Sequence, residues 1–319
     1  MRMLAVALAA LTGLSNAAAQ AWPQQAVRVV VPAPAGSSLD IVVRTLGERL
    51  KERWKQPIVV ENKAGAGGML GMDVVAKAAP DGTTLGIGFN GPVAFAPFLY
   101  KKMPYDPARH LMPVVLTTSQ PNVLAVHAGV PAATLPEFIA WARREGGKLS
   151  YGSVGNGSSS HLTMELLKSA AGFEATHVPY SGSPPAGNSV AAGDTQALFA
   201  VAPALLPLVQ AGKIKLLAAT SVQRLDAMKD LSTIAESGYP GFEALAWNGL
   251  FAPAGTSADV IARINADVNA VLLEPAVRES FAKQGLIPGG GSSAEFKAFI
   301  ESEARKWGAI IDKVGIKLD

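Results

Sequence analysis

Short apolar, β-branched runs alternate with stretches of helical periodicity along most of this chain, and that alternation is the strongest limit on what it can fold into. Val27 to Val31 precedes a helix running to Trp54, Ile58 to Glu61 precedes a helix to Ala79, and Thr83 to Gly88 follows. Strand and helix in regular turn predict parallel sheets covered by helices. The pattern resumes with Val123 to His127, a helix from Thr134, Leu149 to Gly152, and a helix from about Ser159 to Ala171. Ala175 to Val178, a short helix opening at Pro184-Pro185, Ala197 to Val201, a helix ending at Gly212 and Lys215 to Thr220 complete the middle. The C-terminal part adds a strand near Ala246 to Ala252 and further helices.

Two similar α/β lobes follow from this count, and 319 residues allow each to bury its own apolar core. Residues 22–120 and 246–319 are expected to form lobe 1 and residues 121–245 lobe 2. Two segments, near 118–122 and 243–247, then cross between the lobes as a hinge. Helix starts are marked by caps. Ser37 with Asp40, Thr134 with Glu137, Thr256 with Asp259 and Ser292 with Glu295 each place a hydroxyl three residues before an acid. Behind the first of these, Leu39, Val42, Val43, Leu46, Leu50 and Trp54 recur at three- and four-residue steps, the spacing of a buried helix face.

The first 21 residues follow another rule. Arg2, the apolar stretch Met3 to Leu11 and the small residues around Ala17 to Ala21 make a secretory signal peptide, with cleavage after Ala19 or Ala21 fitting equally well. A buried N-terminal helix is the alternative, but it would turn no polar face to water. The absence of cysteine excludes thiol chemistry, disulfides, cysteine zinc sites and a lipidated cysteine anchor, so the mature chain is expected free in the periplasm. Without Arg2 the formal charge falls from +3 to +2, with no basic cluster suited to nucleic acid.

Three turns carry candidate binding chemistry: Ala35 to Leu39, Gly152 to His161, and Ser181 to Ala186. Each would offer unpaired backbone N–H groups at the positive end of a helix dipole, a seat for a carboxylate. Ordinary capping explains any one alone; three together point to a site. Val31 to Ser37 also resembles Val178 to Ser183, each running strand, proline, glycine, hydroxyl. Such turns line the ligand crevice of open α/β sheets. Gly86-Ile87-Gly88-Phe89-Asn90-Gly91 matches a dinucleotide fingerprint, but Pro92 follows it directly and no acidic residue ends a following strand about 20 residues on. His110, His127, His161 and His177 show no i, i+4 zinc spacing, and His161 with Glu165 reads as a helix-surface pair. No serine has an identifiable base and orienting acid, so the chain is read as no enzyme, with a hydrolase or lyase on a similar frame as the alternative.

Taken together, the residues resemble the Bug family of periplasmic receptors, which serve tripartite tricarboxylate transporters (TctC-like). The resemblance spans the mature chain. It rests on Val31 to Asp40, Val60 to Gly68, Pro80 to Leu85, Pro104 to Pro107, Tyr151 to Leu162, His177 to Tyr180 and Ala252 to Thr256. It implies a two-lobed periplasmic-binding-protein fold of type II (a Venus flytrap), binding small organic acids between the lobes without a metal or cofactor. Partners implied are the transporter's membrane subunits, with a sensor kinase as an alternative output, and the receptor is expected to be monomeric. The ligand would be gripped by Ala35, Gly36, Ser37, Ser38 and Leu39 of one lobe and by Ser153, Asn156, Gly157, Ser158 and His161 of the other, with Phe89, Asn90, Ser181 and Ala200 completing the site.

Three positions depart from the family pattern. Ser181 stands where Lys or Arg is usual, Ala200 ends a strand that commonly ends in Asp, and Asn188 replaces a frequent acid. Loss of the carboxylate near residue 200 leaves a ligand ammonium without a partner, and loss of the basic residue removes a partner for a second carboxylate. A monocarboxylate with an apolar or aromatic remainder is expected, unless Asn90 or Asn188 replaces the lost contacts and keeps a polar diacid.

Overall fold

A computed structural model describes residues 22–225 and 228–318, so the expected signal segment lies outside the described residues. The strands are β1 (Val27–Val31), β2 (Ile58–Asn62), β3 (Thr84–Phe89), β4 (Leu111–His127), β5 (Ser150–Ser153), β6 (Thr176–Pro179), β7 (Ala197–Val201), β8 (Ile214–Ala219), β9 (Leu245–Pro253) and β10 (Ile287–Gly290). The helices are α1 (Ser38–Trp54), α2 (Met69–Ala76), α3 (Ala96–Leu99), α4 (Pro107–His110), α5 (Leu135–Glu145), α6 (Ser159–Ala171), α7 (Ser183–Ala192), α8 (Leu206–Gln210), α9 (Ala258–Leu272), α10 (Pro275–Ala282) and α11 (Ser293–Val314).

The strand order β2-β1-β3-β9-β4-β7-β5-β6 contains one architectural unit twice. β1 lies parallel between β2 and β3, and β5 lies parallel between β6 and β7, while antiparallel β9 and β4 join the halves. This is a two-lobed α/β molecule whose parallel strands are covered by helices, which is why β1 and β7 are nearly continuous apolar runs. The repeat also relates the turns. The counterpart of the turn after β1 is the turn after β5, both on central strands, and not the Val178 to Ser183 turn on the edge strand β6.

β4 is longer than its sequence suggests. It runs unbroken through residues 118–122, where a segment crossing between the lobes was expected, pairing with β9 as far as Pro121 and with β7 from Asn122 onward. The partner changes while the backbone continues. Helix α9 starts one residue later than expected: Ser257, not Thr256, caps it by accepting the Val260 N–H, and Thr256 bonds back to the Pro253 carbonyl.

The expectation of a separate core for each lobe holds only in part. Val27, Val43, Leu46 and Trp54 pack with Ile264 and Phe281 in one half, and Val123, Val190 and Leu198 cluster in the other. A third cluster runs through both, joining Phe95, Trp247 and Trp307 to Phe138, Leu162 and Phe199. At its centre the buried Glu303 of α11 accepts both the Trp247 and Trp307 indole N–H groups, each at 3.2 Å. Burial pushes this carboxyl above its ordinary pKa, against the pull of Lys306 and the two indoles.

Candidate functional site

The two central turns are built alike. Gly36 and Gly157 take left-handed conformations (φ 77° and 69°) immediately before Ser37 and Ser158, which cap α1 and α6 with nearly identical dihedrals. Only glycine enters that region without a Cβ penalty. Ser37 Oγ accepts the Asp40 N–H and Ser158 Oγ the His161 N–H, both at 3.3 Å. Each cap satisfies its third helical amide and leaves the first two, Ser38 and Leu39 in α1 and Ser159 and Ser160 in α6, without a protein partner among the described residues. All four residues line one cavity.

That cavity has a volume of about 310 Å³ and is walled by both halves, within the size range of small-molecule sites. No residue lining it is charged, among the described residues. Phe89, Tyr100, Tyr180 and Trp247 supply aromatic surface; Gln120, Asn122 and Asn248 supply carboxamides from the strands that join the halves, and Asn90 adds one just past β3. With no cation present, negative charge would be met by helix N-termini and free amides.

The halves touch at the cavity rim. A Cβ placed on Gly67 would lie 2.6 Å from the Asn156 carbonyl oxygen, and one on Gly182 would lie 3.3 Å from Pro34. The Gly67 lip belongs to residues 65–68, all with positive φ, including Ala66 at 47°.

Behind each seat lies a buried polar support. The Asp40 carboxylate accepts the Gly36 N–H (2.9 Å), Arg44 Nε (2.9 Å) and Asn62 Nδ2 (3.1 Å). Burial would push its pKa up, but the hydrogen bonds from Arg44, Gly36 and Asn62 outweigh that and hold it below the usual carboxylate range. In the other half His161 and His177 stack with ring centroids 3.8 Å apart. His161 Nδ1 accepts the Gly157 N–H at 3.2 Å, and His177 Nε2 lies 2.6 Å from Ser153 Oγ. Burial and then the Lys168 charge bring His161 down to about 4. Burial, His161 and Lys168 bring His177 down to about 3 against an opposing pull from Glu165. Both rings are therefore neutral near pH 7, as an acceptor at His161 Nδ1 requires.

The sequence-predicted residues divide accordingly. Ser37, Ser38, Leu39, Phe89, Asn90, Asn156, Ser158, Ser181 and Ala200 line the cavity. Ala35, Gly36, Ser153, Gly157 and His161 do not: Gly36 turns its amide onto Asp40, and Ser153, Gly157 and His161 form the support behind α6. His161 is 4 % exposed and no surface partner of Glu165, whose carboxylate instead bonds Tyr151 and Lys168. Ser153 with His177 has the spacing of a nucleophile and base that the sequence did not reveal, but Ser153 is fully buried and off the cavity, so no substrate reaches it.

Two further expectations change. The Ser158 hydroxyl donates to the Gly155 carbonyl at 2.7 Å, so its proton serves the turn and the helix end faces the ligand space. In the third turn Pro184 and Pro185 have no N–H, which leaves α7 a poorer anion seat than α1 or α6. Asn188 is exposed and away from the cavity. Residues 64–68, Gln120, Asn122, Trp247 and Asn248 were missed as site residues. The visible signal was Thr118, Gln120 and Asn122 at period two, polar side chains sharing one face of the strand.

Comparison with known proteins agrees with the two-lobed fold. The family model described as "Tripartite tricarboxylate transporter family receptor" matches residues 42–316. Protein BugT of Bordetella pertussis is 33% identical over 301 residues, covering 94% of this chain and 92% of its own. The solved structure of R. palustris Rpa4515 with adipate superposes with a TM-score of 0.90 at 35% identity, covering 93% of this chain and 99% of that one. MatC from Rhodopseudomonas palustris with bound malate gives 0.86 at 31% identity, over 91% and 100%. These are solute-binding receptors and not enzymes. The chain belongs to the receptor family of the tripartite tricarboxylate transporters, of which the Bug proteins are members.

Proposed function

We propose that this receptor is exported to the periplasm, closes its lobes on a small organic carboxylate and delivers it to the membrane subunits of a tripartite tricarboxylate transporter. The observation that carries the reading is the pair of helix N-termini, one from each half, with free amides at Ser38, Leu39, Ser159 and Ser160 on an uncharged cavity. A charge-assisted hydrogen bond contributes about 1.5–3 kcal/mol. A carboxylate reaching both seats gains most when they approach, so binding and closure are coupled. Residues 22–120 with 246–319 move against 121–245 in this reading, supported by the change of β4 partners between Pro121 and Asn122. No helix among the described residues is long and apolar enough to cross a membrane.

The ligand is a monocarboxylate with an apolar or aromatic remainder. Ala200 and Ser181 put no charge on the cavity, while Phe89, Tyr180 and Trp247 offer apolar surface. A second reading has one observation in its favour: two separate anion seats could hold the two ends of a diacid, and the neighbours named above carry adipate and malate. Thermal-shift screening separates them, since a ligand at 100 times its Kd stabilises the fold by about 2.7 kcal/mol. Stabilisation by aromatic or aliphatic monocarboxylates is expected. Stabilisation by adipate, citrate or aspartate alone would favour the diacid reading.

A further inference from the structure

Gln120 is 2 % exposed, lines the cavity and carries an Oε1 that is shielded from solvent without any hydrogen-bond partner among the described residues. Its Nε2 has a weak contact, 3.5 Å from the hydroxyl of Ser38, the first residue of α1. Two of the other cavity carboxamides, Asn90 and Asn248, are held more firmly. Asn90 uses both ends, on the Leu245 carbonyl and the Gly91 N–H, Asn248 Nδ2 donates to Thr118 at 2.9 Å, and Asn122 Nδ2 approaches Thr163. Among these four only the Gln120 acceptor is both closed to solvent and unbonded, and its amide lies beside Ser38. A buried acceptor left unpaired costs about 1–3 kcal/mol, so a donor arriving with the ligand would recover what the empty site gives up.

We propose that Gln120 reads a hydroxyl on the carbon next to the ligand carboxylate. With the carboxylate on the Ser38 and Leu39 amides, a 2-hydroxyl is the donor held closest to Gln120, and its O–H bonds Oε1 while Nε2 remains available to a carboxylate oxygen. The site then selects 2-hydroxy acids over their deoxy counterparts. It also selects against 2-amino acids, because no anionic side chain among the described residues lines the cavity to balance an ammonium. The inference rests on the carboxylate reading of the cavity, and it is independent of whether the far end of the ligand is apolar or charged.

Titration calorimetry on the mature chain tests it with mandelate, phenylacetate and phenylglycine as one series and malate, succinate and aspartate as another. In whichever series binds, the hydroxy acid should bind about tenfold tighter than the deoxy acid, from one recovered hydrogen bond. Gln120→Met, which keeps the side-chain length and removes both polar ends, should bring the two within about twofold. The wild-type comparison decides the matter even if the variant folds poorly. Equal wild-type affinities, a preference that survives Gln120→Met, or tighter binding of the amino acid would overturn the proposal. Binding confined to the malate series would sink the monocarboxylate reading while leaving the hydroxyl preference open to measurement in that series. Binding of none of the six would overturn both.

Discussion

Replacing Gly67 by alanine probes the lip contact with little else disturbed. Gly67 has φ 61° and ψ 24°, left-handed geometry that alanine adopts at a cost of about 1–2 kcal/mol. That strain is present whether the lobes are apart or together. The added Cβ, however, lies 2.6 Å from the Asn156 carbonyl oxygen, against an ordinary carbon–oxygen approach of about 3.3 Å. The obstacle is backbone, so the lips must separate by several tenths of an ångström, an overpacking cost of about 1–3 kcal/mol paid only in the closed form. Ligand affinity should therefore fall roughly fivefold to a hundredfold. Calorimetry with a stabilising acid measures it, and Gly146→Ala is the control: φ is 57° there and nothing lies within 4 Å of the new Cβ. That control should lose similar stability and no affinity. If Gly67→Ala binds within twofold of wild type, or if Gly146→Ala weakens binding equally, closure against Asn156 is not part of binding.

Other outcomes follow from the same geometry. His161 titrates near 4 when folded and near 6.5 when unfolded, so the unfolded chain takes up the proton first and stability falls as the pH drops from about 6.5 towards 4. The loss from this one ring is about 2 kcal/mol at pH 5, measurable by urea unfolding, and His161→Asn should flatten the slope; an unchanged slope would refute the neutral buried pair. Ser158→Ala removes the α6 cap and should cost about 1 kcal/mol of stability and weaken acid binding several-fold, whereas wild-type affinity would show that the α6 terminus is not a ligand seat. N-terminal sequencing of protein recovered from the periplasm should begin after Ala19 or Ala21, and an intact Met1 would reject export by cleavage.

What was legible in the sequence was what a short stretch decides by itself. The Ser37 cap, the buried stripe from Leu39 to Trp54 and the limits of α6 at Ser159 and Ala171 depend on neighbours three or four residues away. The continuity of β4 was not legible. Thr118, Gln120 and Asn122 look like a polar interruption until strand pairing turns all three to one interior face. Nor could the sequence tell that His161 is buried: its stacking partner, His177, lies on strand β6, and an isolated histidine near Glu165 reads as surface. The glycines at 65, 67 and 68 announce a turn, but the role of Gly67 depends on Asn156, far along the chain and brought near only by the fold. Local signals thus located the capped N-termini of α1 and α6, whereas the cavity floor, the lip and the supports behind those helix ends depend on contacts between distant segments.

The central claim, that the cavity holds a small organic carboxylate and releases it unchanged, is tested most directly by native mass spectrometry of the receptor purified from its own periplasm without refolding. The protein should carry one small acid in a single copy, at lower occupancy in Gly67→Ala, and the acid should be recovered chemically intact after denaturation. A bound molecule without a carboxylate, or an acid returned as a cleaved or rearranged product, would contradict the account.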